Sequence, residues 1–335
     1  MDPVSQGLVG ATLAQSIVRR EKLIPAGIAG VLSGMAADLD VIIRSSMDPL
    51  LFLEFHRQFT HSLIFIPVGA FIVSLTLFYF IKNYLTWKET YIVCFLGYAT
   101  HALLDACTSY GTKLLWPFSS ERIAWNNISI IDPLFTLPII IFFACICIKK
   151  SRLFVFLSIG WALLYISIGL YQNQRALKLV QNLAISRGHL ANSVSVKPSF
   201  GNLFLWKIIY EFENFYYVDA LRLTHTTQVC AGTKVKKLNV TNDIKKLVLN
   251  SQQARDIDKF RDFSAGFLSY IPKKQLIIDV RYSYIPNEIN PLWGIIVSNT
   301  NNEKKHVEWW ESKAPKKAEL KKFLSLLRGS GCQTI

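Results

Sequence analysis

Long apolar stretches fill the first half of the chain and become rare in the second half. A helix that crosses a membrane needs roughly 20 mostly apolar residues. Four segments meet or approach this length, at residues 62–81, 90–109, 130–148 and 153–171. The pattern therefore predicts membrane-spanning helices over these four ranges.

Two earlier apolar stretches are weaker candidates. Residues 8–18 are too few to span a membrane untilted, whereas residues 23–43 are enough but include Asp38 and Asp40 near their end. Glycines and alanines recur between positions 26 and 37, and such small residues let another helix approach closely. We therefore expect six helices, of which the first is short.

The pattern changes after Tyr171. Residues 173–193 continue the last helix as far as a break near Gly188, and residues 316–328 have the pattern of an amphipathic helix. Between them, β-rich runs alternate with turn residues. These runs lie at residues 203–210, 215–223, 275–285 and 293–297. We predict an α-helical integral membrane bundle of about five to six helices (1–171), followed by a small, mainly β (α+β) soluble domain (172–335).

Charge is distributed unevenly along the chain. Charged residues make up 18% of the sequence, compared with about a quarter in soluble proteins. Residues 1–171 contain 12 Lys and Arg against 10 Asp and Glu, a net charge of +2, whereas residues 172–335 contain 25 against 13, a net charge of +12. The basic half lacks the aromatic and basic stripe of single-strand binding proteins. Anionic lipid headgroups are therefore its expected partner, and no nucleic acid is expected.

Basic residues also predict the orientation in the membrane. Clusters at 19–22, 82–88 and 149–152 fall in alternate loops, so all three lie on one side, which the positive-inside tendency makes cytoplasmic. The domain after Tyr171 would then face the periplasm. Cys230 and Cys332 of that domain could pair if it faces an oxidising compartment. No cleavable signal peptide is evident, so we expect the first apolar stretch to be retained.

Ionisable residues occur at three places beside the predicted helices. They lie at the end of the second helix, at the start of the third and at the end of the fourth, which the same topology places on the outward face. Because such residues are costly near a membrane, they indicate a functional site. The residues are Asp38, Asp40, His56, Arg57, His61, His101 and Asp105.

The types and spacing of these residues suit a metal centre. His101 and Asp105 are four residues apart on a helix and therefore share one face. We predict that the ligands are Asp38, Asp40, His56, His61, His101 and Asp105. Nitrogen and oxygen donors together favour zinc, with manganese or iron as alternatives. Arg57 would bind phosphoryl oxygens, and Asp38 or Asp40 would act as the base if it is not coordinated.

Simpler roles remain open for the individual residues. Each histidine could be a polar cap at the membrane interface, and Asp40 could pair with Arg44 or Arg57. Asp132, which precedes the fifth helix, is either a helix cap or a further ligand. Three histidines and three aspartates on one predicted face nevertheless favour a metal site over these separate roles.

Several motifs in combination resemble the YdjM family of membrane-bound metal-dependent hydrolases. The similarity covers about the first 135 residues and comprises Met1-Asp2-Pro3, residues 7–14, Asp38-x-Asp40, His56-Arg57-x-x-Thr60-His61-Ser62, Gly97-x-x-x-His101-x-x-Leu104-Asp105 and Gly111-x-x-Leu114-Leu115-Trp116-Pro117. The resemblance implies a bacterial inner-membrane location. It also implies phosphoester hydrolysis, because the family is grouped with zinc-dependent phospholipase C and P1-type nucleases. Gln6 stands where members often carry a histidine, which leaves the number of metals open.

Residues and resemblance together suggest a metal-dependent hydrolase of the inner membrane. It would hydrolyse a lipid or envelope phosphoester at the outward face with metal-activated water. A non-catalytic scaffold or regulatory protein is one alternative, and Gln6 favours it. A metal or ion transporter is another, although it would need polar groups accessible from both sides. The sequence identifies no protein partner.

Overall fold

The computed structural model describes residues 1–245, 247–248, 250–298 and 302–334, and the chain forms two compact units. The first unit consists of Met1–Ile42, Phe55–Tyr171 and Phe200–Asn202. The second consists of Ile43–Glu54, Gln172–Ser199 and Leu203–Ile335. The division therefore differs from a single cut after Tyr171, since residues 43–54 belong to the second unit.

Helices form the first unit. The helices between residues 3 and 186 are, in chain order, α1 (Pro3–Ser16), α2 (Leu23–Met35), α3 (Leu51–Phe55), α4 (Ile66–Ile81), α5 (Trp87–Cys107), α6 (Pro133–Lys149) and α7 (Arg152–Ser186). Most of α3 and the end of α7 belong to the second unit. Short 3-10 turns occur at Arg20–Lys22, Ala36–Ile42, Phe59–His61 and Leu63–Phe65.

The predicted membrane bundle is confirmed. Among the described residues, four helical stretches are long and apolar enough to cross a membrane, namely Arg20–Ile42, Leu63–Ile81, Trp87–Cys107 and Arg152–Ser186, and the apolar α6 is slightly shorter. The last helix continues beyond Tyr171 and ends two residues before Gly188, whose φ of 72° permits the break. The short first apolar stretch, at residues 8–18, corresponds to α1.

Local sequence signals explain where these helices begin. Thr86 and Glu89 form a capping box at the start of α5, in which each side chain accepts a hydrogen bond from the backbone of the other. Asp132 precedes Pro133, the first residue of α6. Its carboxylate accepts hydrogen bonds from the Leu134 N–H at 3.2 Å and from the Tyr165 hydroxyl at 2.9 Å. Asp132 is therefore a helix cap.

Glycines bring α1, α2 and α5 into close contact. A Cβ atom on Gly30 would lie 2.7 Å from the Gly10 carbonyl oxygen, and one on Gly97 would lie 2.9 Å from the Gly30 carbonyl oxygen. Real Cβ atoms do not approach so closely, so the backbones can pack in this way only without side chains. This packing brings the end of α2 and the end of α5 together.

The second unit contains two antiparallel sheets. The five-stranded sheet has the order β1-β2-β3-β4-β9 and consists of β1 (Ser193–Pro198), β2 (Leu205–Phe212), β3 (Phe215–Leu223), β4 (Thr227–Lys236) and β9 (Gln333–Thr334). The four-stranded sheet has the order β5-β6-β7-β8 and consists of β5 (Leu268–Ile271), β6 (Leu276–Asp279), β7 (Trp293–Ile296) and β8 (Glu308–Glu311). The accompanying helices are α8 (Val240–Asp243), α9 (Gln252–Phe263) and α10 (Lys317–Leu327). The predicted α+β domain is confirmed.

A disulfide joins the two cysteines of the second unit. Cys230 of β4 pairs with Cys332, which immediately precedes β9, across a sequence separation of 102 residues. The structure thus contains the disulfide that the sequence left possible. The bond closes most of the domain into one covalent loop, which restricts its unfolded state.

Candidate metal centre

Four donor atoms from three parts of the first unit converge on one point. His61 Nε2 lies 2.9 Å from His101 Nε2 and 3.3 Å from Asp105 Oδ2. Asp38 Oδ1 lies 3.4 Å from both imidazole nitrogens, and His101 Nε2 lies 3.7 Å from Asp105 Oδ2. Ligands around a tetrahedral zinc ion are separated by about 3.3–3.4 Å, because each lies about 2.0–2.1 Å from the metal. The five distances bracket this spacing, and all four donor atoms lie within 4.8 Å of one another.

Hydrogen bonds at the other ring nitrogens orient both imidazoles. His101 Nδ1 donates to the Gly34 carbonyl oxygen at 2.6 Å. His61 Nδ1 lies 2.9 Å from Thr60 Oγ1 and 3.3 Å from Asp40 Oδ2. With the proton assigned to Nδ1 in each neutral ring, both Nε2 atoms present lone pairs. Two lone pairs at 2.9 Å need a proton or a metal ion between them.

The carboxylate of Asp105 also fits a metal ion. Asp105, His61 and His101 are fully buried. The Asp105 Oδ2 atom receives no hydrogen bond within the described structure, although it faces both imidazoles and lies 3.0 Å from Arg57 Nε. A buried carboxylate oxygen without a donor is costly. A divalent cation among the four donors would remove this cost, so the donor set fits a metal.

The nearby carboxylates stabilise a positive charge at the converging donor atoms. Burial alone would lower the pKa of His61, but the nearby carboxylates of Asp105, Asp38 and Asp40 outweigh burial and raise the pKa to about 10. A proton can satisfy this negative charge, and so can a divalent metal ion, which competes with the proton for the same nitrogen.

Asp40 and His56 form a second group beside the first. Asp40 Oδ1 lies 2.7 Å from His56 Nδ1, and Asp40 Oδ2 accepts hydrogen bonds from the Arg57 N–H at 3.0 Å and the Thr60 hydroxyl at 2.7 Å. Asp38, Asp40 and His56 offer donor atoms within 4.8 Å of one another. Asp38 therefore belongs to both groups, as a carboxylate shared between two metal ions would.

Arg57 is buried next to Asp105 and does not project into open space. Its Nη1 donates to Thr108 Oγ1 at 3.3 Å, and its guanidinium lies 5.2 Å from the centre of the Tyr110 ring. The residue has a φ of 62°, which is uncommon outside glycine. The backbone hydrogen bond to Asp40 helps hold this conformation. Arg57 is thus placed to balance the charge of Asp105.

Four contacts of the centre were not predicted from the sequence. The amide of Gln6 is buried and donates through Nε2 to Asp105 Oδ1 at 2.8 Å, and the Met1 amino group contacts the same oxygen. Thr60 and the Gly34 carbonyl oxygen orient the two imidazoles. The Thr60-His61 pair within the family motif was a signal for Thr60, whereas a backbone carbonyl leaves no mark in a sequence.

Comparisons with known proteins agree with the position of these motifs. A family model described as "YdjM inner membrane protein" matches residues 1–176. YfhP of Bacillus subtilis (strain 168) is 26% identical over 106 residues, which are 32% of this chain and 32% of that protein. YvsG of the same strain is 40% identical over 62 residues, 18% of this chain and 34% of that protein. The chain thus spans about a third of the length of these curated relatives. No solved structure matches.

Proposed function

This chain belongs to the YdjM inner membrane protein family, and from that premise we propose that it is a metal-dependent hydrolase of a lipid or envelope phosphoester. The observation that carries the proposal is the convergence of Asp38, His61, His101 and Asp105, with one buried carboxylate oxygen that accepts no described hydrogen bond. Three-dimensional convergence of four ligands is a stronger indication than their spacing along the chain.

Each residue of the centre has a proposed role. Asp38, His61, His101 and Asp105 hold the ion, and the mixed nitrogen and oxygen donors favour zinc, with manganese or iron as alternatives. When bound, the ion supplies Lewis acidity toward a phosphoryl oxygen and activates water. Asp40 orients His61 and His56. Asp40 also fixes the backbone of Arg57 through the N–H hydrogen bond.

We extend the proposal to a second ion at the other group, which would compete with the hydrogen bonds that Asp40 already accepts. Asp38, Asp40 and His56 are near enough that they would hold a second ion, and Asp38 belongs to both groups. Paired ions clamp the attacking and leaving oxygens of a phosphoester. The side chain of His56 is 30% exposed, whereas those of His61 and His101 are buried. Substrate would therefore approach from the side of His56.

We further propose that the site and the C-terminal domain face the periplasm. The Cys230–Cys332 disulfide supports an oxidising compartment for that domain. Basic residues in the loops at 19–22, 82–88 and 149–152 support a cytoplasmic location for the opposite side. The basic second half of the chain would attract anionic lipid headgroups, the class of substrate or partner that this surface suits.

Metal analysis of the detergent-purified protein tests the proposal. We expect zinc, or another divalent metal, to copurify with the wild type and to be lost in His61→Ala and His101→Ala. His225→Ala removes an exposed histidine of the second unit and serves as the matched control. A wild-type protein that binds no added zinc, manganese or iron would rule out the enzyme proposal.

Hydrolysis assays then separate an enzyme from a scaffold or a carrier. Phospholipids and an aryl phosphodiester in mixed micelles are suitable substrates, with Asp105→Asn as the inactive variant. Metal-dependent turnover by the wild type alone is expected. Bound metal without turnover would favour the non-catalytic scaffold, and metal uptake into sealed vesicles would favour a transporter.

A further inference from the structure

Residues 43–54, here called the inserted segment, connect two groups of predicted ligands but belong to the second unit. The chain leaves the first unit after Ile42 and returns to it at Phe55. Asp38 and Asp40 precede the inserted segment, and His56 and His61 follow it. The ligands on both sides are therefore covalently tied to a segment that folds with the C-terminal domain.

Apolar side chains anchor the inserted segment in the core of the second unit. Leu50 is fully buried and Leu53 is 7% exposed, and both pack in one cluster. Their buried partners in that cluster are Ile244, Ile257, Phe260, Leu268, Ile277, Ile295, Val297 and Val307. The ring of Phe52 packs edge-on against Trp309 at a centroid distance of 5.1 Å. Burial removes the apolar surface of these leucines from water, so the segment is held firmly in the core.

Ion pairs fix the same segment. Lys259 Nζ of α9 lies 3.3 Å from Asp48 Oδ2 and 3.1 Å from Glu54 Oε2. His306 Nδ1 lies 3.8 Å from Asp48 Oδ1 and 3.0 Å from Asp256 Oδ2. All five of these groups belong to the second unit, so the pairs bind the inserted segment within its own domain.

Asp48, Asp256 and His306 could by their spacing also hold a metal ion. However, Asp256 already accepts hydrogen bonds from the Gln252 amide at 2.9 Å and from the Val307 N–H at 3.1 Å. The ammonium group of Lys259 offsets the charge of Asp48. The group is therefore a satisfied polar network, which contrasts with the Oδ2 atom of Asp105 in the first unit, to which no described group donates a hydrogen bond.

We infer that the C-terminal domain positions the metal ligands of the membrane unit through the inserted segment, with Leu50 and Leu53 as positioning residues. The inference rests on the proposed metal site. A metal site requires its ligands to be held within about 0.5 Å of their productive geometry. Asp40 and His56 lie within three residues of the two ends of the segment, so release of the anchor would loosen both.

Leucine truncation in the full-length protein tests the inference. Leu50→Ala is compared with Leu205→Ala, because both residues are fully buried leucines of the second unit but Leu205 packs in a separate cluster. Zinc affinity is measured by competition with a chelator. We expect Leu50→Ala to weaken zinc binding about tenfold, as loss of a supporting contact does. Leu205→Ala should bind as the wild type does, and Leu50→Met, which conserves volume, should restore affinity.

Hydrogen exchange provides a readout that does not require metal. Peptides that cover residues 55–62 report on the Arg57 N–H that bonds to Asp40. In Leu50→Ala these peptides should exchange at least about tenfold faster than in Leu205→Ala. Equal exchange in the two variants would overturn the positioning role. If the peptides exchange faster in Leu50→Ala but the wild type binds no zinc, the positioning role would stand and the proposed function would fail.

Discussion

In the candidate metal centre, both carboxylate oxygens of Asp105 have partners that balance its charge. Its Oδ1 atom accepts hydrogen bonds from Gln6 and the Met1 amino group, while Oδ2 lies beside Arg57 and the two imidazoles. A buried carboxylate stays charged only when such groups compensate for its lost hydration. The supporting donors therefore affect how readily Asp105 binds a cation.

We predict that Gln6→Ala weakens metal binding by about 10–100-fold, because contacts that orient a ligand usually contribute that much. Removal of the amide leaves Asp105 Oδ1 with one donor fewer. Gln15→Ala is the matched control, since Gln15 is also a buried glutamine of α1 but donates to the Leu23 carbonyl oxygen. Chelator competition measures both variants. Similar affinities for the two would contradict the role of Gln6.

Lys207 is a buried lysine in the five-stranded sheet. It lies on β2 opposite Lys197 of β1, and its Nζ donates to Ser283 Oγ at 2.8 Å and to the Glu288 carbonyl oxygen at 2.7 Å. Burial lowers the pKa of Lys207 to about 7, although Asp279 and Glu288 oppose this effect. The neutral amine is therefore favoured in the folded domain above that pH.

The free energy of unfolding should increase between pH 7 and 10.5, and we predict that this increase is smaller in Lys207→Met than in the wild type. The unfolded chain keeps the ordinary lysine pKa of 10.5 and so binds more protons in this window than the folded chain. The free energy of unfolding of the wild type therefore increases with pH there. Thermal unfolding followed by tryptophan fluorescence, repeated across this pH range, gives the slope of the free energy of unfolding against pH. Lys321→Met, which alters an exposed lysine of α10, should leave the slope unchanged.

Among the helices, the glycine contacts of α1, α2 and α5 determine how closely the ligand-bearing ends approach. We predict that Gly30→Ala destabilises the protein by about 1–3 kcal/mol, the usual cost of overpacking. Its Cβ would lie 2.6 Å from the Ala11 Cα atom. Gly160→Ala on α7 is the control, since its Cβ would meet nothing within 4 Å. Equal melting temperatures for the two variants would contradict the close packing.

The sequence predicted the helices better than the strands, for a physical reason. A spanning helix requires a long apolar run, whereas β4 has only two buried residues and β8 has none. Hydrogen bonds to paired strands order them instead, namely to β3 and β9 for β4 and to β7 for β8. Helix α9 was missed because it is mostly polar, with Ile257 and Phe260 as its buried apolar residues.

The ligand motifs could be found from the sequence because each is local. Asp38 and Asp40, His56 and His61, and His101 and Asp105 occur as closely spaced pairs, and helix direction places the pairs at one end of the bundle. The support around them could not be found in the same way. Gln6 reaches Asp105 across 99 positions, and Leu50 shares a core with Phe260. Neither contact has a local pattern.

The whole chain combines a nearly neutral apolar half with a basic half that contains a disulfide. Because thiols stay reduced in most cytoplasms, the Cys230–Cys332 pair and the loop charges support the proposed orientation by separate physical routes. One route depends on the redox state of the compartment and the other on membrane insertion. A direct test of orientation therefore bears on both.

We predict that a reporter enzyme active only in the periplasm is active when fused after residue 335 and inactive when fused after Lys150. Lys150 lies between α6 and α7, in the loop that the basic residues place in the cytoplasm. Activity is measured in intact cells and normalised to the amount of fusion protein. The reverse pattern would place the C-terminal domain and the metal centre on the cytoplasmic side. Substrate would then have to come from the inner leaflet, and the disulfide would not persist there.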